Sequence, residues 1–439
     1  MDSELASLSS LQPETRAQRR EFLKRLAMVA GSSALLAELP WWSPLRAAPV
    51  SDSPSDRVRL GVIGVGSRGS FLLANLLRTP GVEVAALCDD YPPHLEAALA
   101  KVKGARGFSD HRQMLDMPGL DGVLIAVPLF LHARMCLDAF AAGKHVFCEK
   151  SLAYSIEECQ TIADAHRGSS KVFQIGHQRM FSPVFLRALE LIRDGQIGQI
   201  TQIRAYWHRN GNWRNPVPAT GPDPSPFPSL ERRLNWRLYL DYSRGLMTEL
   251  ASHHMQVANW FLGARPVSCA GYGSINYWKD GREVYDNVNL VYRYDNGTQV
   301  VYDSLISNRF YGMEVQIMGP QGTIEGETGK IFSENPPPAP GIVQLINEIE
   351  HGFFDAVPIG GPSWVPELKK DTRGSYLVRE QTADDGTAIS MAAFANAIRA
   401  GKPIPGMMEQ ACRAGVSVLM GHNAMEQQKE IAWPEGFRE

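Results

Sequence analysis

Val58-Arg59-Leu60-Gly61-Val62-Ile63-Gly64-Val65-Gly66-Ser67-Arg68-Gly69 decides the fold. An apolar run of strand length gives way to a glycine turn, and Phe71-Leu72-Leu73-Ala74-Asn75-Leu76-Leu77 continues with helical spacing. That is the strand–turn–helix context in which Gly-x-Gly-x-x-Gly binds a dinucleotide. Gly64 permits the tight turn, Gly66 lets a pyrophosphate approach the backbone, and Gly69 lets the helix pack close to the strand. Ser67 and Arg68 open the helix, whose free N–H groups and positive dipole end face the phosphates. A second strand, Val82 to Cys88, follows at βαβ spacing and ends at Asp89, where an acid accepts the ribose hydroxyls. An anion there repels a 2′-phosphate, so NAD is expected rather than NADP, and Asp90 could share the ribose role. The structural alternative is an ordinary glycine turn with Asp89 as a helix cap.

The chain beyond this unit keeps alternating. Gly122 to Val127, Lys144 to Cys148 and Lys171 to Gly176 read as buried strands, separated by helical runs Leu131 to Ala142 and Ser155 to Ala165. This predicts a doubly wound parallel sheet over residues 58–181. After about Ser182 the pattern changes. A helix to Arg193 and a long strand, Gln199 to His208, lead to a loop rich in Pro, Gly, Asn and Trp. Strands Val267–Tyr277, Val284–Tyr294, Gln299–Ser307 and Gly312–Gly319 follow with tight turns between them, which predicts a mainly antiparallel sheet in a second α/β domain, residues 182–433. Glu327 to Thr387 reads as loop insertions, and two terminal helices are expected to pack back on the first domain.

Of 439 residues, those before Ser51 do not belong to this pattern. Arg19-Arg20-Glu21-Phe22-Leu23-Lys24 and the apolar stretch Leu26 to Leu36 resemble a twin-arginine export signal, so residues 1–48 are expected to be a signal and 49–57 a linker. The expected location is periplasmic, with a cofactor loaded in the cytoplasm and held tightly. The formal charge of −3 gives no electrostatic footprint for nucleic acid. Six scattered cysteines lack metal-like spacing and are expected to be buried free thiols; the alternative in an exported chain is a disulfide.

Three places can carry chemistry. Glu149-Lys150 follows a parallel strand at the end where ligands bind, and the ammonium can steady a developing alkoxide; the alternative is a surface ion pair. Glu249 and His253 stand at i,i+4 spacing, so the carboxylate can orient the imidazole as a general base; the alternative is a packing pair. Adjacent His253 and His254 diverge, so no metal site is expected. The loop Tyr206 to Arg214, with Trp207, His208 and Trp213, and the later Trp236, Arg237, Tyr239 and Tyr242 offer aromatic faces and donors to a polyhydroxylated substrate; the alternative is aromatics packed on the sheet.

The chain resembles the glucose–fructose oxidoreductase/inositol dehydrogenase (Gfo/Idh/MocA) family. Six stretches beyond the fingerprint carry the likeness: Ala126-Val127-Pro128…His132, Gly143 to Lys150, Gln178-Arg179…Pro183, Asp194 to Gly198, Gly245…Glu249…His253, and Ala397 to Lys402. The resemblance implies a Rossmann domain, a second domain with an open sheet that often joins subunits into dimers or tetramers, and oxidation or reduction of a sugar or cyclitol carbinol. It implies Lys150 and His253 as catalytic residues, with Glu249 where an aspartate is usual. It also implies Pro128, His132, Glu149 and Gln178 along the cofactor and Arg179 beside the substrate. Four departures stand out: Val127-Pro128-Leu129 for Thr-Pro-Asn, Ser151 for proline, Glu249 for aspartate, and Gln256 where an aspartate is often found. The expected function is therefore an exported NAD-dependent sugar oxidoreductase. Its rivals are a glycosidase working by transient oxidation and elimination, and a nucleotide-holding binding protein without activity.

Overall fold

The computed structural model describes residues 57–334, 374–378 and 385–439. The twin-arginine segment, the linker through residue 56 and most of the insertion between Glu327 and Thr387 lie outside the described residues.

Six parallel strands form the first sheet: β1 (Val58–Ile63), β2 (Val82–Cys88), β3 (Arg106–Phe108), β4 (Gly122–Ile125), β5 (His145–Cys148) and β6 (Phe173–Ile175), in the order β3-β2-β1-β4-β5-β6. All four residues of β4 are buried, as expected of a parallel strand covered by helices on both faces. The helix Ser67–Leu76 buries Gly69, Leu72, Leu73 and Leu76, a single stripe at helical spacing that faces the sheet. Chain order reverses between β1 and β4, so the crevice for a ligand opens at the carboxyl end of β1, where the glycine turn lies.

Among the described residues the second sheet contains nine strands. They are β7 (Gln202–His208), β8 (Ser268–Ser274), β9 (Asn287–Arg293), β10 (Gln299–Leu305), β11 (Met313–Gly319), β12 (Gly322–Glu325), β13 (Lys330–Ser333), β14 (Ser375–Tyr376) and β15 (Ile431–Ala432). Their order is β14-β13-β12-β11-β7-β10-β9-β8-β15. The sheet is mixed: β7 and β10 run parallel, and every other neighbour pair is antiparallel. The parallel pair arises because β7 is followed not by a hairpin but by the long segment 209–267, which returns the chain to the far side of the sheet. β13 and β14 occupy a region expected to hold only loops.

One face of this sheet is covered by the helices Ser252–Leu262 and Met407–Gln427, and among the described residues no helix covers the other, open face. Alternation sets which residues see which face: Val288, Leu290 and Tyr292 of β9 are buried, whereas Asn289, Val291 and Arg293 are not. The terminal helices do pack on the first sheet's layer: Thr387–Ala400 lies against the helix after the glycine turn, and Met407–Gln427 lies against the helix Ile156–Arg167 and β6. All six cysteines are buried and free. Among the described residues no helix is long and apolar enough to cross a membrane.

Candidate active site

The glycine turn is held from several sides. Gly64 has φ 84°, and a Cβ there would lie 2.5 Å from the Ala126 carbonyl oxygen. A Cβ on Gly69 would sit 1.9 Å from the Gly64 oxygen, so only glycine lets the helix start this close to the turn. In front of Gly66 the space is open, with the His94 ring 3.4 Å from a would-be Cβ. The helix begins at Gly66 without a side-chain cap, which leaves its first N–H groups for an anion. These features fit a dinucleotide pyrophosphate. Asp89 has a structural task at the place expected for a ribose acceptor: its carboxylate accepts the Val65 N–H at 2.8 Å and the Tyr91 N–H at 2.9 Å, and so fixes the turn. Arg68 folds across to Glu149, its Nε 2.9 Å from Oε1 of that buried carboxylate.

Two residues expected along the cofactor have protein partners. His132 is buried, with Nδ1 2.8 Å from the Ser151 carbonyl and Nε2 3.0 Å from the Val127 carbonyl, so it ties the segment after β4 to the segment after β5. Gln178 donates to Asp385 at 3.2 Å. Pro128 opens the short 3-10 turn Leu129–Leu131.

The end of β5 meets the second domain directly. Lys150 Nζ donates to the Glu249 carbonyl at 3.0 Å and lies 3.5 Å from that of Thr248, and Ser151 Oγ donates to the Thr248 carbonyl at 3.0 Å. These carbonyls belong to Met247–Ala251, a single π-helical turn at the head of the helix Ser252–Leu262. Such a turn leaves carbonyls outside the regular helical ladder and is frequent at functional sites. Lys150 is thus not a surface ion pair. Burial lowers its pKa, against the pull of Glu249 and Glu149.

Glu249 does not orient His253. Among the described residues its carboxylate bonds Arg237, with Nε 2.8 Å from Oε2. A permanent guanidinium is the stronger partner, and His253 is held neutral. Burial first, then the positive charges of Lys150 and Arg179, push the His253 imidazole well below its ordinary pKa. Burial opposes charge on Glu249, yet Arg237 and Lys150 outweigh it and keep that carboxyl below the usual range.

His177, which the motifs do not single out, completes the cluster. It is buried after β6, shares a 2.8 Å hydrogen bond with Ser252 Oγ, and its ring centre lies 6.0 Å from that of His253. Burial and the charges of Lys150 and Arg179 push it down to about 3. Its place at the carboxyl end of a parallel strand, beside Gly176, is the signal that finds it.

The expected substrate residues divide. Trp207 points inward, 5.7 Å between ring centres from His253, with the buried Arg179 guanidinium 5.8 Å from its ring centre. Arg179 pairs with Glu327. Arg237 is at the cleft through Glu249. His208 is not: it neighbours Trp207 on β7 and therefore projects to the open face, where it pairs with Asp303. Tyr239 is buried and bonded to Glu231 at 2.8 Å, so its hydroxyl is engaged. Trp213 is half-buried in the loop after β7, with a left-handed backbone of φ 61°. Among the described residues no group of three potential ligands could hold a metal ion.

This arrangement, a glycine cradle on one sheet facing a helix laid on another, recurs in known proteins. Residues 58–177 match the oxidoreductase family with an NAD-binding Rossmann fold, and residues 185–325 match the GFO/IDH/MocA C-terminal domain. The chain belongs to the Gfo/Idh/MocA family. Like other members it carries an NAD-binding Rossmann domain. It is 28% identical to inositol 2-dehydrogenase 2 of Saccharopolyspora erythraea over 282 residues, covering 64% of this chain and 74% of that one. It is 32% identical to a glycosyl hydrolase family 109 protein of Stenotrophomonas maltophilia over 203 residues, 44% and 42% of the two chains. The fold is similar to that of levoglucosan dehydrogenase in complex with NADH, with TM-score 0.66, 19% identity and coverage of 86% of this chain and 99% of that one.

Proposed function

We propose that this Gfo/Idh/MocA protein oxidises or reduces a carbinol carbon of a sugar, sugar derivative or cyclitol, with Lys150 and His253 acting on the same oxygen. The observation that carries the reading is the meeting of two distant parts of the chain: Lys150 Nζ stands 3.0 Å from the carbonyl of Glu249, on the turn that leads into His253. When bound, the nicotinamide supplies the hydride acceptor or donor. Lys150, its ammonium destabilised by burial, hydrogen-bonds the reacting oxygen and steadies it as it becomes an alkoxide. His253, kept neutral, accepts the hydroxyl proton through an unprotonated ring nitrogen. Glu249 with Arg237 fixes the turn and sets the local field, a different task from the one its spacing predicts. Trp207 offers an apolar face to a sugar ring, with the Arg179 guanidinium against its ring.

The proposal extends to export by the twin-arginine route, which the Arg19-Arg20 segment supports, and to a homodimer or homotetramer joined through the open sheet face, where Tyr272 is exposed. The test is to denature the purified protein, identify the released nucleotide, and screen sugars and cyclitols for its reduction. No change in nicotinamide absorbance with any of them refutes the redox reading.

The likeness to a glycosyl hydrolase family 109 protein supports a second reading. Oxidation at C3 of a glycoside acidifies the C2 proton, a base removes it, and the aglycone leaves with the glycosidic bonding pair. Addition of water and return of the hydride then give net hydrolysis. Free aglycone without accumulation of NADH supports it, and a stable keto-sugar excludes it.

A further inference from the structure

We infer that residues 224–242 form a retention strap across the mouth of the nucleotide groove, latched by Arg233 on Asp90. The inference rests on nucleotide binding by the first domain and is independent of the redox chemistry proposed above.

The groove lies over the carboxyl end of β1, and β2 and β4 flank that strand on its two sides. The strap is anchored at the ends of both flanking strands. On the β2 side, Arg233 forms an ion pair with Asp90, the residue after the acid that fixes the glycine turn. The Arg233 guanidinium also lies 5.2 Å from the centre of the Tyr91 ring. On the β4 side, Phe227 meets Phe130 edge-on, with ring centres 5.8 Å apart, and Tyr242 packs on both rings at 4.8 and 5.1 Å. Arg233 joins the two ends. Its Nη1 donates to the carbonyls of Pro224 and Ser225 at 3.1 and 2.6 Å, and its guanidinium sits 5.5 Å from the Phe227 ring centre.

The burial pattern fits a latch. Arg233 and Phe227 are buried, although both belong to a segment that reaches out from the second domain onto the first. Asp90 remains half exposed, so the pair is held at the rim and can part without unfolding the core. A dinucleotide whose pyrophosphate rests on Gly66, with its adenosine ribose beside Asp89, would lie beneath this crossing. It could leave only after the Arg233–Asp90 pair and the aromatic contact with Phe130 open. The strap therefore governs how long the nucleotide stays.

The test uses the full chain, loaded with isotope-labelled NAD and chased with excess unlabelled NAD, with exchange followed by mass spectrometry. Asp90→Asn and Arg233→Ala should each speed release roughly two- to fivefold, the range for loss of a half-exposed ion pair. The double variant should be no faster than Arg233→Ala, because both remove the same bond. Asp90→Asn is isosteric, and unchanged melting curves show that the fold persists. A wild-type protein that binds added NAD but exchanges it as fast as Asp90→Asn overturns the strap and leaves the NAD site standing. An effect of Asp90→Asn not shared by Arg233→Ala overturns the latch, since the aspartate would then act on the ribose directly. Failure to bind NAD at all overturns both.

Discussion

Gly66→Ala and Gly69→Ala should separate binding of the nucleotide from stability of the turn. At Gly66 the backbone has φ −64°, which alanine adopts without strain, and the new methyl meets only the His94 ring at 3.4 Å. The empty protein should therefore melt within a few degrees of wild type. That same methyl occupies the side from which a pyrophosphate approaches, and displacing one charged oxygen from its N–H donor costs about 1.5–3 kcal/mol. The expected loss of NAD affinity is roughly ten- to hundredfold. Gly69→Ala is different. Its methyl would lie 1.9 Å from the Gly64 oxygen, and the turn cannot retreat, because the Gly64 N–H is bonded to Cys88 and the Val65 N–H to Asp89. The helix must shift, at a cost of about 1–3 kcal/mol even before any ligand is added. Melting curves with and without NAD, together with calorimetric titration, distinguish the two. If Gly66→Ala binds NAD as wild type does, the pyrophosphate does not cross this residue; if Gly69→Ala melts unchanged, the packing argument is wrong.

Further predictions concern the cleft. Lys150→Met should keep the nucleotide and lose turnover about a hundred- to a thousandfold, as for removal of one preorganised donor, measured as single-turnover reduction of bound NAD by an active sugar; unchanged turnover removes Lys150 from the mechanism. Arg237→Leu deletes the charge that does most to hold the Glu249 carboxyl down, so that carboxyl should titrate at higher pH and the acid limb of the pH–rate profile should move upward; an unmoved limb shows that Glu249 does not govern it. Stability should fall on acidification. His177 and His422 titrate near 6.5 when unfolded but are pushed down to about 3 and about 4 in the fold. Below pH 6.5 the unfolded chain binds protons that the folded chain refuses, at about 1.4 kcal/mol per pH unit for each histidine, until the folded values are reached. Equal melting temperatures at pH 7 and pH 4.5 would contradict this.

Much of the fold is legible in the sequence because it rests on local patterns. The strands of the first sheet are apolar runs bounded by turn residues, and β8 to β11 show alternation between Asp-Gly and Asn-Gly turns. The parallel pairing of β7 with β10 is not local: the two strands lie nearly a hundred residues apart and read as neighbours of others. The site divides in the same way. Lys150 and His253 carry motif signals, and both reach the cleft. The partner of Glu249 depends instead on Arg237, whose short helical turn is brought to the carboxylate by tertiary packing, so helical spacing alone points to the wrong residue. His177 carries no motif, and only its position after β6 marks it. The pairing of Arg233 with Asp90 joins residues in different domains and leaves no trace in either segment.

The alternation of β7 makes this strand a divider between two kinds of change. Odd positions, Ile203, Ala205 and Trp207, look toward the cleft helix, while Gln202, Arg204, Tyr206 and His208 look the other way. Changes at Trp207 alter the ring that faces His253, whereas Ile203 and Ala205 are fully buried and belong to the core. Changes to the even set fall on the other face of the sheet and leave that contact alone. The contact with His253 and the character of the outer face can thus change separately, although both are written in seven consecutive residues.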